Sequence, residues 1–263
     1  MTARPIITRA FLFAFWPLAL ALSAGAGELA TGDTLRAVYI DSNLAQARRD
    51  PASGEVRGPA ADLALELAKR NGLKLSIAPA PGVAGVIAAV KSGEADIGFV
   101  AFDATRAKEV DFSQTYLLAH NTYIVRQSSA AQRTADLDHA GRKIGVGEKD
   151  AADLFLSRHL KVAALHRMPS SDLDNGIKLL LAGELDGYAA NRTRLLAVAD
   201  KLPGLRLLPD NFYDVEQAIV VAKGNPRRRE IVEQFVIDAK SSGLVKAAIE
   251  RAGLRGVSVA PAK

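Results

Sequence analysis

The chain has 263 residues, 49% of them hydrophobic, a formal net charge of +5 and no cysteine. That length holds one large or two small domains, and the apolar share is too high for a disordered chain. The charge is mildly basic and forms no long stripe interleaved with aromatics, which excludes a nucleic-acid footprint, and without cysteine the fold must rest on a packed core and not on disulfides.

Arg4 and Arg9 form a basic start, Ala10 to Ser23 is almost wholly apolar, and Ala24, Gly25 and Ala26 are small residues of the kind a signal peptidase reads. The pattern predicts a cleaved secretory signal over residues 1–26, with a mature chain starting at Gly27. The alternative, a membrane anchor, is disfavoured by the shortness of the apolar run and by the lack of a basic flank after it. Cleavage removes Arg4 and Arg9 and no acid, so the formal charge falls from +5 to +3, and it removes Trp16, the sole tryptophan. No cysteine is present to carry an acyl anchor, so the expected location is the periplasm, as a freely diffusing monomer.

Beyond the signal, strand and helix patterns alternate. Leu35 to Ile40 reads as a strand, and Pro59 to Arg70 as a helix with Leu63 and Leu67 on one face, closed by Asn71 and Gly72. Leu73 to Ala78 reads as a second strand. Val83, Val86, Ile87 and Val90 then form a helical stripe that stops at Gly93. Ala95 to Ala101 is a nearly unbroken apolar strand, as expected where both faces are covered. A short polar helix is expected next, with Arg106 in its first turn. The order predicts a mostly parallel α/β sheet.

The phrase SGEADIGFV at residues 92–100 returns as AGELDGYAA at 182–190. Before the echo come a strand at Lys143 to Val146, a helix over about Ala151 to Leu160, and an amphipathic helix carrying Leu173, Ile177 and Leu180. Gly-Glu-x-Asp at both joints predicts two similar α/β lobes; the alternative is that it is ordinary helix-to-strand punctuation. Thr122 to Arg126 and Gln217 to Ala222 are β-rich and predict two crossover strands serving as a hinge. A final helical segment over about Arg228 to Ala252 then returns to the first lobe. The predicted division is 27–126 and 220–263 for lobe one and 127–219 for lobe two. Arg227, Arg228 and Arg229 read as a solvated helix face.

In open α/β sheets ligands bind beyond the carboxyl ends of the strands, which is where Arg106 falls. A guanidinium beside a helix N-terminus suits a carboxylate. The alternative is a surface pair with Glu109 or Asp111.

From Leu35 to about Leu254 the chain resembles the bacterial family 3 extracellular solute-binding proteins, the periplasmic receptors of polar amino-acid ABC importers. The resemblance is carried by Gly58, Asp62, Leu63, Ala64, Leu67 and Ala68; by Ser92, Gly93, Glu94, Asp96 and Ile97; by Arg106, Ala107, Lys108, Val110, Asp111, Phe112, Ser113 and Tyr116; and by Gly141 to Val146. It implies an α/β, two-lobed periplasmic-binding-protein-like fold of type II, each lobe a mostly parallel sheet flanked by helices, hinged by two crossover strands. It further implies that Arg106 clamps a ligand carboxylate, that the partner is an inner-membrane ABC permease and ATPase, and that no cofactor is needed.

The departures from that pattern bear on the ligand. The segment after the first strand, Ser42 to Arg48 with Asn43 in it, lacks the family's aromatic wall. Ala101 replaces a serine or threonine that helps hold the carboxylate, and Lys149 and Asp150 replace the Gly-Thr or Gly-Ser that opens the second lobe's first helix. Asn191 aligns with the aspartate that holds the ligand's ammonium, and an amide offers that ammonium no full charge. Asn191 also precedes a helix start and suits an N-cap, a role compatible with ligand contact. With Lys149, and Arg192 or Arg194, adding positive charge, and with Asp150 spending its own on a helix start, an anionic ligand is favoured. In the alternative, Asp41 or Asp103 replaces the missing acid and an ordinary amino acid binds. Cyclohexadienyl dehydratases share this fold, but Arg194 stands at their second-lobe glutamate, and His120, His139, His159 and His166 lack metal-ligand spacing. A receptor that presents its ligand to a membrane sensor is the third reading.

Overall fold

The computed structural model describes residues 26–41 and 43–262. The signal assignment over residues 1–26 therefore lies outside the described residues except for Ala26, as does Ser42.

The first lobe opens with α1 (Ala26–Leu29), β1 (Thr34–Ile40) and a two-residue hairpin of β2 (Arg48–Arg49) and β3 (Val56–Arg57). It continues through α2 (Pro59–Arg70), β4 (Lys74–Ala80), α3 (Gly82–Ser92), β5 (Ile97–Ala101) and β6 (Val110–Phe112). Strand β1 lies in parallel between β4 and β5. The second lobe repeats this plan with β8 (Lys143–Gly147), α4 (Ala151–His159), β9 (Ala164–Met168), α5 (Leu173–Ala182) and β10 (Gly187–Asn191), and β8 lies in parallel between β9 and β10. Helix α6 (Arg192–Ala199) and β11 (Leu205–Leu207) follow.

Two long strands join the lobes: β7 (Leu117–Arg126) and β12 (Tyr213–Ala222). Each changes partner along its length. Residues 117–121 of β7 pair with β12 and 121–124 pair with β10, while 213–217 of β12 pair with β7 and 217–220 pair with β5. The mixed sheet thus runs through both lobes by way of the hinge. The change of partner falls at Asn121 in β7 and at Gln217 in β12. The chain closes with α7 (Pro226–Ser241), α8 (Leu244–Arg251), separated by Gly243 at φ 79°, and β13 (Val257–Val259) against β7.

Four apolar layers hold this frame. Leu63 and Leu67 of α2 and Phe235 and Val236 of α7 cover one face of the first sheet, and Val86 and Val90 of α3 cover the other. Leu156 of α4 covers one face of the second sheet, while Ile177, Leu180 and Leu195 cover the opposite one. Each such side chain contributes about 1.5–3 kcal/mol by leaving water.

The Gly-Glu-x-Asp echo has a shared mechanical role. Gly93 and Gly183 are left-handed helix C-caps at φ 77° and 84°. Asp96 accepts the Arg36 N–H (2.9 Å) and pairs with the Arg36 guanidinium (2.7 Å) at the start of β1. Asp186 accepts the Lys143 N–H (2.8 Å) and pairs with Arg142 (2.6 Å) at the start of β8. Each aspartate locks the third strand of its lobe to the first.

One expected element is absent. Residues 106–108 form a single 3-10 turn and not a polar helix, and β6 follows at once. Val110 is fully buried in register with Ala222, so burial on the sheet outcompetes helix continuation. Strand β9 also escapes the sequence pattern; its residues are mostly exposed or half-buried, so no apolar alternation marks it.

Candidate functional site

The carboxyl ends of β1, β8 and β10 converge on a cleft floored by the hinge strands. A space of about 260 Å³ is lined by Asn43 from the first lobe, Asp150, Asn191 and Arg194 from the second, and Asn121, Val215 and Gln217 from the hinge. It adjoins a wider space of about 760 Å³ that shares Asn43, Asp150, Asn191 and Arg194 and adds Leu44, Val83 and Lys149.

Of the residues singled out from sequence, Asn43, Lys149, Asp150 and Asn191 come together here. Lys149 sits at the rim, with its side chain 84% exposed, and is the one non-glycine at positive φ among the described residues (63°). Its N–H donates to Asp153 Oδ2 at 2.9 Å. Burial alone raises the Asp153 carboxyl, but the bonds from Lys149 N–H, Ser157 and Arg167 outweigh this and hold it below the usual range.

Asp150 does not spend its charge on α4, contrary to expectation. It makes no side-chain cap; one oxygen accepts from Ser170 Oγ at 2.8 Å and the other lies 3.8 Å from Arg194. Asp153, inside the helix, accepts the Lys149 N–H that precedes it. Asn191 is the N-cap of α6, its Oδ1 accepting the Thr193 N–H at 3.0 Å. With one lone pair of its oxygen spent on the cap, the amide offers two N–H donors and one remaining acceptor position elsewhere. Of the two candidate arginines, Arg192 is drawn away to Asn211 Oδ1 and the carbonyls of Leu208, Pro209 and Asp210, and only Arg194 faces the cleft.

Arg106, Ala101, Asp103 and Asp41 do not line either space. The Arg106 Nη1 donates to the Ala101 carbonyl at 2.8 Å, and Asp103 accepts the N–H groups of Thr105 and Arg106. The Arg106 N–H holds Asp103 below the usual carboxylate range, partly opposed by burial. Glu109 pairs with Lys91 at 2.7 Å, and among the described residues no carboxylate lies within ion-pair distance of the Arg106 guanidinium. Asp41 is exposed.

An aromatic wall does exist where β12 meets α4, but it lines neither space. Tyr213 shares a strand face with Val215 and Gln217 by the period of two, and it stacks on Phe155 of α4 with ring centroids 4.5 Å apart. Burial pushes the Tyr213 phenol up, Glu216 and Asp103 add to this, and Arg106 and Arg158 oppose it, so Arg106 stands within electrostatic reach of that wall. Sequence reading missed Gln217, Gln46, Asn121 and Phe155; the one available signal was a set of carboxamides beside β-rich runs.

Two mostly parallel lobes, two crossing strands and a polar cleft at the strand ends define a hinged receptor for small solutes. The chain belongs to the bacterial extracellular solute-binding proteins, family 3, whose model matches residues 38–253. A glutamine-binding protein of Geobacillus stearothermophilus is 26% identical over 201 residues, 73% of each chain. An amino acid ABC transporter substrate-binding protein of Streptococcus pneumoniae bound to L-arginine is 25% identical, with TM-score 0.61 over 84% of this chain and 94% of that one. An ancestral amino acid-binding protein, a precursor of cyclohexadienyl dehydratase, shares the fold at TM-score 0.62 and 22% identity, over 83% of this chain and 94% of that one.

Proposed function

We propose that this protein captures a small carboxylate-bearing ligand, an amino acid or related organic anion, in the interlobe cleft and delivers it to an inner-membrane ABC permease and ATPase from the periplasm. The observation that carries the reading is the cavity assembled from both lobes and the hinge, since such a ligand joins the lobes only by touching each. Arg194 and Asp150 balance in that cavity while Lys149 adds a positive charge at the rim of the adjoining space, and Asn191 has its oxygen engaged in a cap. Both features support an anion over a zwitterion. Arg106, without a carboxylate partner among the described residues, is available to a ligand that reaches past Tyr213. Family membership and the binding relatives support capture without turnover, and Arg194 at the dehydratases' glutamate position supports the same.

The test is a thermal-shift panel of succinate, L-glutamate, L-glutamine and L-arginine, followed by calorimetry and small-angle scattering. A ligand at a hundred times its Kd raises stability by about 2.7 kcal/mol. Succinate or L-glutamate should raise Tm and reduce the radius of gyration. Tight binding of L-glutamine with rejection of both anions would overturn the charge assignment.

A further inference from the structure

Gln217 sits where β12 leaves β7 for β5, its Cα in register with both Leu117 and Ala101. It is 2% exposed and lines the cavity of about 260 Å³. A chain of obligatory donors fixes which way its amide points. The Ile40 N–H can only donate, and it donates to Gln46 Oε1 at 3.0 Å. That commits Gln46 Nε2 to the other side, where it donates to Gln217 Oε1 at 2.8 Å. Asn43 Nδ2 reaches the same oxygen at 3.3 Å, its own Oδ1 being held by the Ala45 N–H at 3.2 Å. With Oε1 taken by two donors, the Nε2 of Gln217 is left for the cavity, and no hydrogen bond among the described residues uses it. Gln46 is fully buried at 0% exposure, so solvent cannot reverse the relay.

We propose that Gln217 is a ligand-contacting hydrogen-bond donor and that Gln46 is the positioning residue that sets its polarity, so that the cavity floor selects an acceptor oxygen on the ligand. The inference rests on the solute-binding reading above and deepens it by naming what the floor recognises. Asn191 acts in the same sense from the second lobe, since its cap engages Oδ1 and leaves its Nδ2 donors. A ligand bridging the two donors carries acceptors at two ends, as a short dicarboxylate does, and a ligand presenting an ammonium to Gln217 finds both lone pairs of its oxygen taken.

Succinate and putrescine are matched probes of opposite charge. Gln217→Met keeps the volume and removes the donor; it should weaken succinate about tenfold, the worth of one hydrogen bond to a charged group. Gln217→Glu is isosteric: one oxygen still accepts from Gln46 and Asn43, and the other replaces the donor in the cavity. It should abolish succinate binding and bind putrescine more tightly than wild type does. Gln46→Met releases the amide and should narrow the preference for succinate over putrescine without removing Gln217. Unchanged succinate affinity in both Gln217 variants, with native circular dichroism, would overturn the proposal.

A second measurement needs no ligand. In nitrogen-resolved spectra of the wild type, the side-chain amide protons of Gln217 should exchange with water as cavity-facing groups do, and those of Gln46 should be protected. The reverse pattern overturns the assignment of polarity. A wild type that binds L-glutamine and rejects succinate refutes the acceptor-selecting floor and leaves solute binding intact. Binding of none of the panel sinks the solute reading, while amide exchange still decides how Gln217 points.

Discussion

Replacing Asp150 by asparagine changes one charge and almost no shape. Its carboxylate lies 3.8 Å from Arg194, with the two side chains 36% and 38% exposed. A unit charge pair at that separation interacts by about 4 kcal/mol at an effective dielectric of 20 and by about 1 kcal/mol at that of water. Both groups are more than a third exposed, so the lower figure applies, ~1 kcal/mol. The substituted amide would keep an oxygen for the Ser170 hydroxyl, and Arg194 would keep its bond to the Ser170 carbonyl at 2.8 Å, so the fold should hold. Freed from its competitor, Arg194 should bind a carboxylate about fivefold more tightly, since 1.4 kcal/mol is tenfold. Calorimetry of Asp150→Asn with succinate measures this directly. If affinity is unchanged, Arg194 does not face the ligand. If the variant instead loses an amino acid that the wild type bound, Asp150 is the acid that holds an ammonium, and the anionic reading fails.

Arg106→Ala should weaken carboxylate binding by about tenfold to a few hundredfold, and Arg106→Lys should restore only part of it, because lysine lacks the planar fork; full affinity in both would confine Arg106 to its bond with the Ala101 carbonyl. Asp153→Asn should cost about 1–3 kcal/mol of stability at pH 7 in urea titrations, through its lost bonds to Lys149, Ser157 and Arg167. The Asp153 pKa is lowered in the folded state, so its contribution is complete above the ordinary value of 3.8 and is lost as pH falls through the folded value. Wild type and variant should therefore converge in acid, and a constant difference across pH would contradict the linkage. Gly176→Ala would put a Cβ 2.3 Å from Tyr188 Cε2, on a ring with no exposure, and should destabilise by about 1–3 kcal/mol; a neutral result would mean that α5 shifts freely. Intact-mass measurement of the exported protein should give a chain starting at Gly27 with no lipid, and retention of residues 1–26 would refute the signal assignment.

The alternation of strand and helix, the end of α2 at Asn71 and the stop of α3 at Gly93 were legible because periodicity and capping act within a few residues of each other. The echoed Gly-Glu-x-Asp was legible as a repeat because the four residues recur together, although Asp96 and Asp186 bond the first strand of their lobe, 60 and 43 residues back. The signal assignment rests on local composition alone and lies outside the described residues. What sequence could not decide was which polar groups meet across distance. The 3-10 turn at Arg106 replaced a helix because Val110 found a place on β12, whose residues lie more than a hundred positions away. Asp150 turned to Ser170 and Arg194 and not onto its own helix, contacts that only the folded chain brings within reach. Phe155 and Tyr213 stack outside both spaces, brought together by the packing of α4 against a hinge strand. Gln46 and Gln217 are separated by 171 residues, and nothing in either segment marks them as partners. A hydrogen bond is specified by position and direction at about 3 Å, and in a two-lobed fold those are set by where the chain returns, not by what precedes it.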